Sequence, residues 1–297
     1  MKGHLLCLPC TVRAAYEIAS KATENEKQKK KVLIETIKWL AENPDLTKAT
    51  PTVLHTFVSR LSRKITGNPD PFKSLKEVSN KIALNVIPFL EQEYKRTEDF
   101  KEAFKLAALG AICGNTIDFE VEGHGVSVED LEPSLFNCLK GDLAIDDTST
   151  FMKFLSKSKK ILYLLDNAGE IVFDKFFIKI ITENFPVNVW AAVKDGPILN
   201  DATIEDAKQI RLEEVAEIIT TGNDYIGLKL DESSKEFLKH LHEADLIIVK
   251  GQEYYESITE VEHTLPKPIT YILQAKCVAV AEILGVPHHG NIVKIVT

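Results

Sequence analysis

From Lys160 to the carboxyl terminus, short apolar runs alternate with stretches of helical spacing, and no other feature limits the fold as strongly. The runs are Ile161–Leu165, Val187–Val193, Glu217–Thr220, Leu246–Val249, Ile269–Leu273 and Ile292–Val296. A short apolar run bounded by turn residues reads as a buried strand. Strands separated by helices imply a mainly parallel sheet covered on both faces. The expected class is therefore α/β, with a three-layer α/β/α Rossmann-like core. Residues 1–158 read differently, as helix after helix. The expected division is a helical lobe over 1–158, contributing to the site cleft, and a Rossmann-like α/β core over 159–297.

Within the lobe, Thr11 reads as a helix N-cap, and Pro51–Ile65, Phe72–Tyr94 and Glu98–Cys113 read as helices. Gly67-Asn68-Pro69-Asp70-Pro71 is a loop. Ser127–Asp130 looks like a helix start and Asp146–Ser156 like the lobe's last helix.

A net charge of -8 argues against a non-specific nucleic-acid binder, which would be basic. No run approaches the length of a membrane span, and MKGHLLCLPC lacks a secretory pattern, so the expected location is cytoplasmic, with no membrane partner. Five cysteines, an odd number, do not look like a disulfide framework. Cys7 and Cys10 form a C-x-x-C with His4 three residues before. That pattern fits a redox pair, part of a second metal site, or passive packing.

The unusual polar residues collect at the carboxyl ends of the expected strands. They are Asp166, Asn167 and Glu170 in KILYLLDNAGE; Lys194–Pro197 leading to Asn200 and Asp201; Thr221–Asp224; Lys250, Gly251 and Gln252; and Gln274–Cys277. Parallel strands share one end, so these segments converge in space, where open α/β sheets bind ligands. Asp166, Asn167 and Asp201 offer oxygen ligands suited to a hard divalent cation. Lys250 and Lys276 could meet an anionic group, and Glu170 could orient a substrate or accept a proton. Asn115 and Asp118, after the helix ending at Cys113, could line the same cleft. The glycine-rich nucleotide loops and the G-x-S-x-G elbow are missing.

In order and spacing, C-L-P-C at Cys7–Cys10, G-N-T-I-D at Gly114–Asp118, D-N-A-G-E at Asp166–Glu170, N-D-A-T at Asn200–Thr203, K-G-Q at Lys250–Gln252 and Q-A-K-C at Gln274–Cys277 resemble the damage-control phosphatase family, also filed as domain of unknown function 89. The amino-terminal C-x-x-C resembles its prokaryotic and archaeal branch. The resemblance implies a phosphatase dependent on manganese, nickel, cobalt or magnesium that acts on small phosphorylated metabolites, often damaged ones. It places the metal on Asp166, Asn167 and Asp201, and substrate contacts on Glu170, on Lys250–Gln252 and on Lys276. One position departs: similar sequences carry Asn in K-G-x-x-N-Y-E, where this chain has Tyr254. Two other readings stand beside this one. One is an S-adenosylmethionine-dependent methyltransferase, with strand-end acids holding a ribose. The other is a metal-dependent metabolite-binding module without turnover.

Overall fold

The computed structural model describes the chain apart from residues 44, 46–48, 116–127 and 266, and apart from the side chains of 128–132 and 134. The first third is helical: α1 (Cys7–Ala22), α2 (Glu26–Glu42), α3 (Pro51–Thr66), α4 (Lys73–Arg96) and α5 (Phe100–Cys113). Local chemistry sets the ends. Asn25 and Asp99 each accept two backbone N–H bonds as N-caps of α2 and α5, and Pro51 opens α3 where its missing N–H costs nothing. Thr11, expected as a cap, lies one turn inside α1, and its hydroxyl donates back to the Cys7 carbonyl at 2.7 Å. The helix starts earlier because Pro9 falls in its first turn, where proline is tolerated.

The rest alternates: α6 (Val128–Leu139), β1 (Leu143–Asp146), α7 (Thr148–Leu155), β2 (Lys160–Leu164), α8 (Glu170–Asn184), β3 (Asn188–Val193), α9 (Ile204–Gln209) and β4 (Glu217–Thr220). Then come α10 (Lys235–Glu243), β5 (Leu246–Lys250), α11 (Gln252–Ile258), β6 (Ile269–Gln274), α12 (Val278–Leu284) and β7 (Asn291–Val296). The sheet order is β1-β7-β6-β5-β2-β3-β4. Every neighbouring pair is parallel except β6 and β7. The mainly parallel α/β core matches expectation. The stretch expected to be all helix contains one strand, β1, so the helix expected over Asp146–Ser156 begins at Thr148. Four residues at a sheet edge carry too little alternation to announce a strand.

Side chains alternate across β2. Ile161 and Tyr163 face a core with Phe104, Phe173 and Phe177 from α5 and α8, while Leu162 and Leu164 face one with Phe237, Tyr254 and Val280. A third, smaller core joins α1, α2 and α3 through Ala15, Ile18, Val32 and Val58. Arg60 of α3 holds Asp224 and Glu232, each at 2.6 Å, and Arg63 also pairs with Asp224, which fastens these helices to the loop after β4. Cys113 and Cys138 are disulfide-bonded with their Cα atoms 5.9 Å apart, a single bridge in a chain not expected to carry a disulfide framework. An odd cysteine count excludes complete pairing but not a single bridge. No helix of the described residues is long and apolar enough to cross a membrane.

Candidate active site

The turn after β2 is fixed from both sides. Gly169 takes φ 81° at the start of α8, and its N–H donates to Asn80 Oδ1 of α4 at 2.7 Å. The segment after β3 folds back onto the turn: Ala202 N–H donates to the Asp166 carbonyl at 2.8 Å, and Ala168 N–H to the Asn200 carbonyl at 2.9 Å. These bonds lay Asp201 against Asp166 and Asn167. Carboxylate oxygens of Asp166, Asp201 and Glu253 lie within 4.8 Å of one another, the one such group of potential metal ligands among the described residues. His4, Cys7 and Cys10 do not converge in this way. The two cysteines stand half-buried at the start of α1, and burial pushes both thiols up.

Asp166 Oδ2 accepts from Asn115 Nδ2 at 3.0 Å and from Asn167 Nδ2 at 3.1 Å. Asn167 also donates to Asn115 Oδ1 at 3.2 Å, so three predicted residues form one amide–carboxylate cluster. Lys276 is exposed and donates to the backbone carbonyl of Asn115 and, at 2.8 Å, to its Oδ1. Gln252 is tied down at both ends of its amide, donating to Glu256 at 2.9 Å and accepting from Cys277 N–H at 3.0 Å. Asp118 lies outside the described residues.

Lys250 is fully buried at the end of β5. Its ammonium donates to Glu170 Oε1 and, at 2.8 Å, to the Ala111 carbonyl, and it stands 2.9 Å from Asp174 Oδ1. Burial alone would lower its pKa; Asp174 and Glu170 outweigh burial and raise it. Three N–H bonds exhaust an ammonium, so Lys250 reads as the group that orients Glu170.

Asp174 and Glu253 were not singled out from sequence, and Lys194 was named only as a strand-end residue, without a role. Asp174 follows Glu170 by four residues on α8, a spacing that puts both on one helix face. Glu253 follows Gln252 into the first turn of α11. Lys194 ends buried, 3.5 Å from Asp201 Oδ2, and donates to the carbonyls of Tyr225 at 2.8 Å and Gly227 at 2.7 Å. Its ammonium lies 4.2 Å from the ring centroid of Tyr254, which occupies the place of the Asn in similar sequences.

The electrostatics decide what fits here. Asp166, Glu170, Asp174, Asp201 and the enclosed carboxyl end of Glu253 oppose two buried ammoniums, those of Lys194 and Lys250. Burial, then Glu170 and Asp201, push Asp166 well up; burial, then Asp201 and Asp166, push Glu253 well up. Burial raises Asp201 to about 6 against the pull of Lys194. Neither Asp201 carboxylate oxygen has a hydrogen bond. Buried acceptors left without donors are costly, and a divalent cation satisfies oxygen ligands and excess negative charge together. The residues present fit such an ion.

Gly251 closes the site from below. Its φ is 76°, and a Cβ built there would stand 1.8 Å from Asp166 Oδ2. Gly251→Ala is expected to displace Asp166, to destabilise by about 1–3 kcal/mol from overpacking and to lower turnover by at least roughly tenfold. Urea unfolding and phosphate release check this, and unchanged activity would show that the Asp166 carboxylate is not held in place.

Residues 4–292 match the model of the damage-control phosphatase ARMT1-like domain. The chain is 41% identical over 288 residues to an uncharacterized protein of Methanocaldococcus jannaschii, covering 96% of this chain and 93% of that one. It is 37% identical to a damage-control phosphatase of Pyrococcus horikoshii, with 97% and 96% covered. It is 36% identical to a damage-control phosphatase of Archaeoglobus fulgidus, over the full length of both. A crystal structure of a DUF89 family protein from Pyrococcus horikoshii superposes with a TM-score of 0.87 at 35% identity, covering 99% of this chain and 98% of that one. With the strand-end motifs gathered at one end of the sheet and the whole chain matched, the protein belongs to the ARMT1-like damage-control phosphatase family and is a phosphatase.

Proposed function

We propose that the chain hydrolyses phosphate monoesters of small phosphometabolites, in the manner of metabolite damage control, with a divalent cation held by Asp166, Asn167, Asp201 and Glu253. The supporting observation is Asp201: buried, without a hydrogen bond to either carboxylate oxygen, and grouped with two further carboxylates. Manganese, nickel, cobalt and magnesium are the candidates, since oxygen ligands select weakly among them. When bound, the cation supplies electrophilic polarisation of the phosphoryl group.

The chain's own groups do the rest. Asn115 and Asn167 hold the Asp166 carboxylate in place by two bonds to Oδ2. Lys276, exposed over the turn, offsets charge on the phosphoryl oxygens. Glu170 has one oxygen on Lys250 and the other, Oε2, facing Asn167 Nδ2 at 3.4 Å; that second oxygen is the group that can orient the attacking water or accept its proton. Burial among apolar helices keeps this arrangement in a low-dielectric setting, where charge–charge effects are strong.

The test is phosphate release from an aryl phosphate by chelator-stripped protein, with each cation added back separately. Turnover restored by at least one cation is the expected result. Folded protein that stays inactive with every cation would sink the proposal, and metal-independent methyl transfer from a labelled donor would favour the methyltransferase reading instead.

A further inference from the structure

Asparagine is a poor residue for a helix interior, because its side chain competes for backbone hydrogen bonds. Asn80 nevertheless stands inside α4, with no exposure to solvent. A buried carboxamide is costly unless it is hydrogen-bonded, and this one spends its bonds on groups outside its own helix. Oδ1 accepts the Gly169 N–H at 2.7 Å. Nδ2 donates to Asp206 Oδ1 at 3.1 Å and to Gln209 Oε1 at 2.8 Å.

These bonds reach both segments that carry the proposed cation ligands. Gly169 follows closely on Asp166 and Asn167, and α9, which holds Asp206 and Gln209, begins just after Asp201. Gly169 takes φ 81°. Glycine leaves such a conformation at little cost, so a bond to its N–H selects one setting of the turn. On the other segment Asp206 Oδ2 accepts both the N–H and the hydroxyl of Thr203, at 2.9 Å and 2.8 Å. Asp206 thus closes the first turn of α9 with one oxygen and takes Asn80 with the other. Lys76, one turn before Asn80 on α4, stands 3.5 Å from the same carboxylate and 3.1 Å from Asp70. Lys76, Asn80, Thr203 and Asp206 are all buried, so water does not replace these partners. Backbone bonds lay the two segments side by side, Ala202 on Asp166 and Ala168 on Asn200. Asn80 refers both of them to a single helix.

We propose that Asn80 is a positioning residue for the phosphatase site. Its carboxamide sets the Gly169 turn and the Asp206-capped start of α9 in one register, so that Asp166 and Asn167 on one segment and Asp201 on the other face the same cation. Asn80 acts through a backbone N–H and a helix cap, not by ligation. The assignment rests on the cation reading of the site. Groups that orient metal ligands are worth about 10–100-fold in metal affinity.

The test is calorimetric titration of chelator-stripped protein. Wild type is titrated first with manganese, nickel, cobalt and magnesium, and the tightest of these is then used on Asn80→Leu, on Asn80→Asp, and on Asn80→Asp combined with Asp206→Asn. Circular dichroism establishes that each variant is folded. Asn80→Leu keeps roughly the shape and removes every bond, and should weaken the cation by at least about tenfold. Asn80→Asp keeps an acceptor for Gly169 but sets two carboxylates face to face. It should weaken the cation too, although its added charge alone would favour one. The double variant reverses donor and acceptor across the pair at the net charge of wild type, and should recover most of the affinity that Asn80→Asp loses. If Asn80→Leu does not fold, the other two variants decide. An Asn80 with a merely structural role would lower the melting temperature of the chelated variants and leave their cation affinity alone. That result, or a double variant that binds no tighter than Asn80→Asp, overturns the proposal and leaves the cation reading standing. Wild type that binds none of the four cations overturns both.

Discussion

Asp201→Asn is expected to abolish metal-dependent phosphate release and, at the same time, to make the metal-free protein more stable than wild type. Asp201 is 1% exposed and its carboxylate oxygens lack hydrogen bonds, with the Lys194 ammonium 3.5 Å away as its compensating charge. Two further carboxylates crowd it, so the folded chain carries charge that only a cation neutralises. Loss of a ligand carboxylate should lower kcat/KM by at least about a thousandfold, or ~4 kcal/mol of transition-state stabilisation. Relief of repulsion should raise the melting temperature of the chelated protein by about 2–4 °C for each ~1 kcal/mol gained.

The pH dependence has a definite sign. Burial lifts Asp201 to about 6, above its unfolded value, so the native state holds the proton longer. Metal-free wild type should therefore lose stability as pH rises from about 4 through about 6. The variant should lack the share due to Asp201 and keep that of Asp166 and Glu253, which burial also raises. Phosphate release measures the loss of turnover, and thermal scans with chelator and with manganese, at several pH values, measure the gain in stability and its pH dependence. A cation-induced shift in Asp201→Asn equal to that of wild type would remove Asp201 from the ligand set.

Lys250→Met should be the most damaging substitution for the fold. The ammonium is fully buried between Glu170 and Asp174, with the Ala111 carbonyl as its third acceptor. Removing one member of a buried ion cluster leaves the others unpaired and costs about 3–5 kcal/mol. Asp174 softens the loss, since burial has already lifted its pKa to about 7 and protonation is within reach. Adding Asp174→Asn to Lys250→Met should accordingly recover part of the stability, and activity should stay low because Glu170 loses its orienting partner. Urea unfolding of the single and double variants separates these contributions. A Lys250→Met protein as stable as wild type would show that the two carboxylates are neutral in the folded chain.

The readable part of this protein was whatever local pattern or parallel topology dictates. Apolar runs ending in Asp166, Lys194, Lys250 and Gln274 announced strands, and strands sharing one end announced a common site. From sequence Asn115 is only a residue that could line the cleft, because its bonds to Asp166 and Lys276 cross 51 and 161 residues. Lys250 looked like a free cation for phosphate, since nothing in K-G-Q shows that Glu170 and Asp174 already surround it. Glu253 was hidden in a short helix whose first turn points into the cleft. β1 escaped notice because an edge strand of four residues has no pattern of its own. The Cys113–Cys138 bridge joins α5 and α6, whose approach is set by their packing on each other and on α4, which cysteine arithmetic cannot foresee.

The Ala111 carbonyl that accepts from Lys250 belongs to α5, far upstream of the sheet strand it serves. An early helix thus supplies part of the solvation shell of a charge at the sheet's centre. Gene fusions or chimeras made by exchanging the first half of this chain with that of a relative would keep Glu170 and Asp174 beside Lys250 but take its third acceptor from another parent. Such a chain could keep every motif of the phosphatase and still hold the Lys250 ammonium off its third acceptor, and with it Glu170. Inheritance of this site is therefore a property of the whole polypeptide, and its two halves are constrained to diverge together.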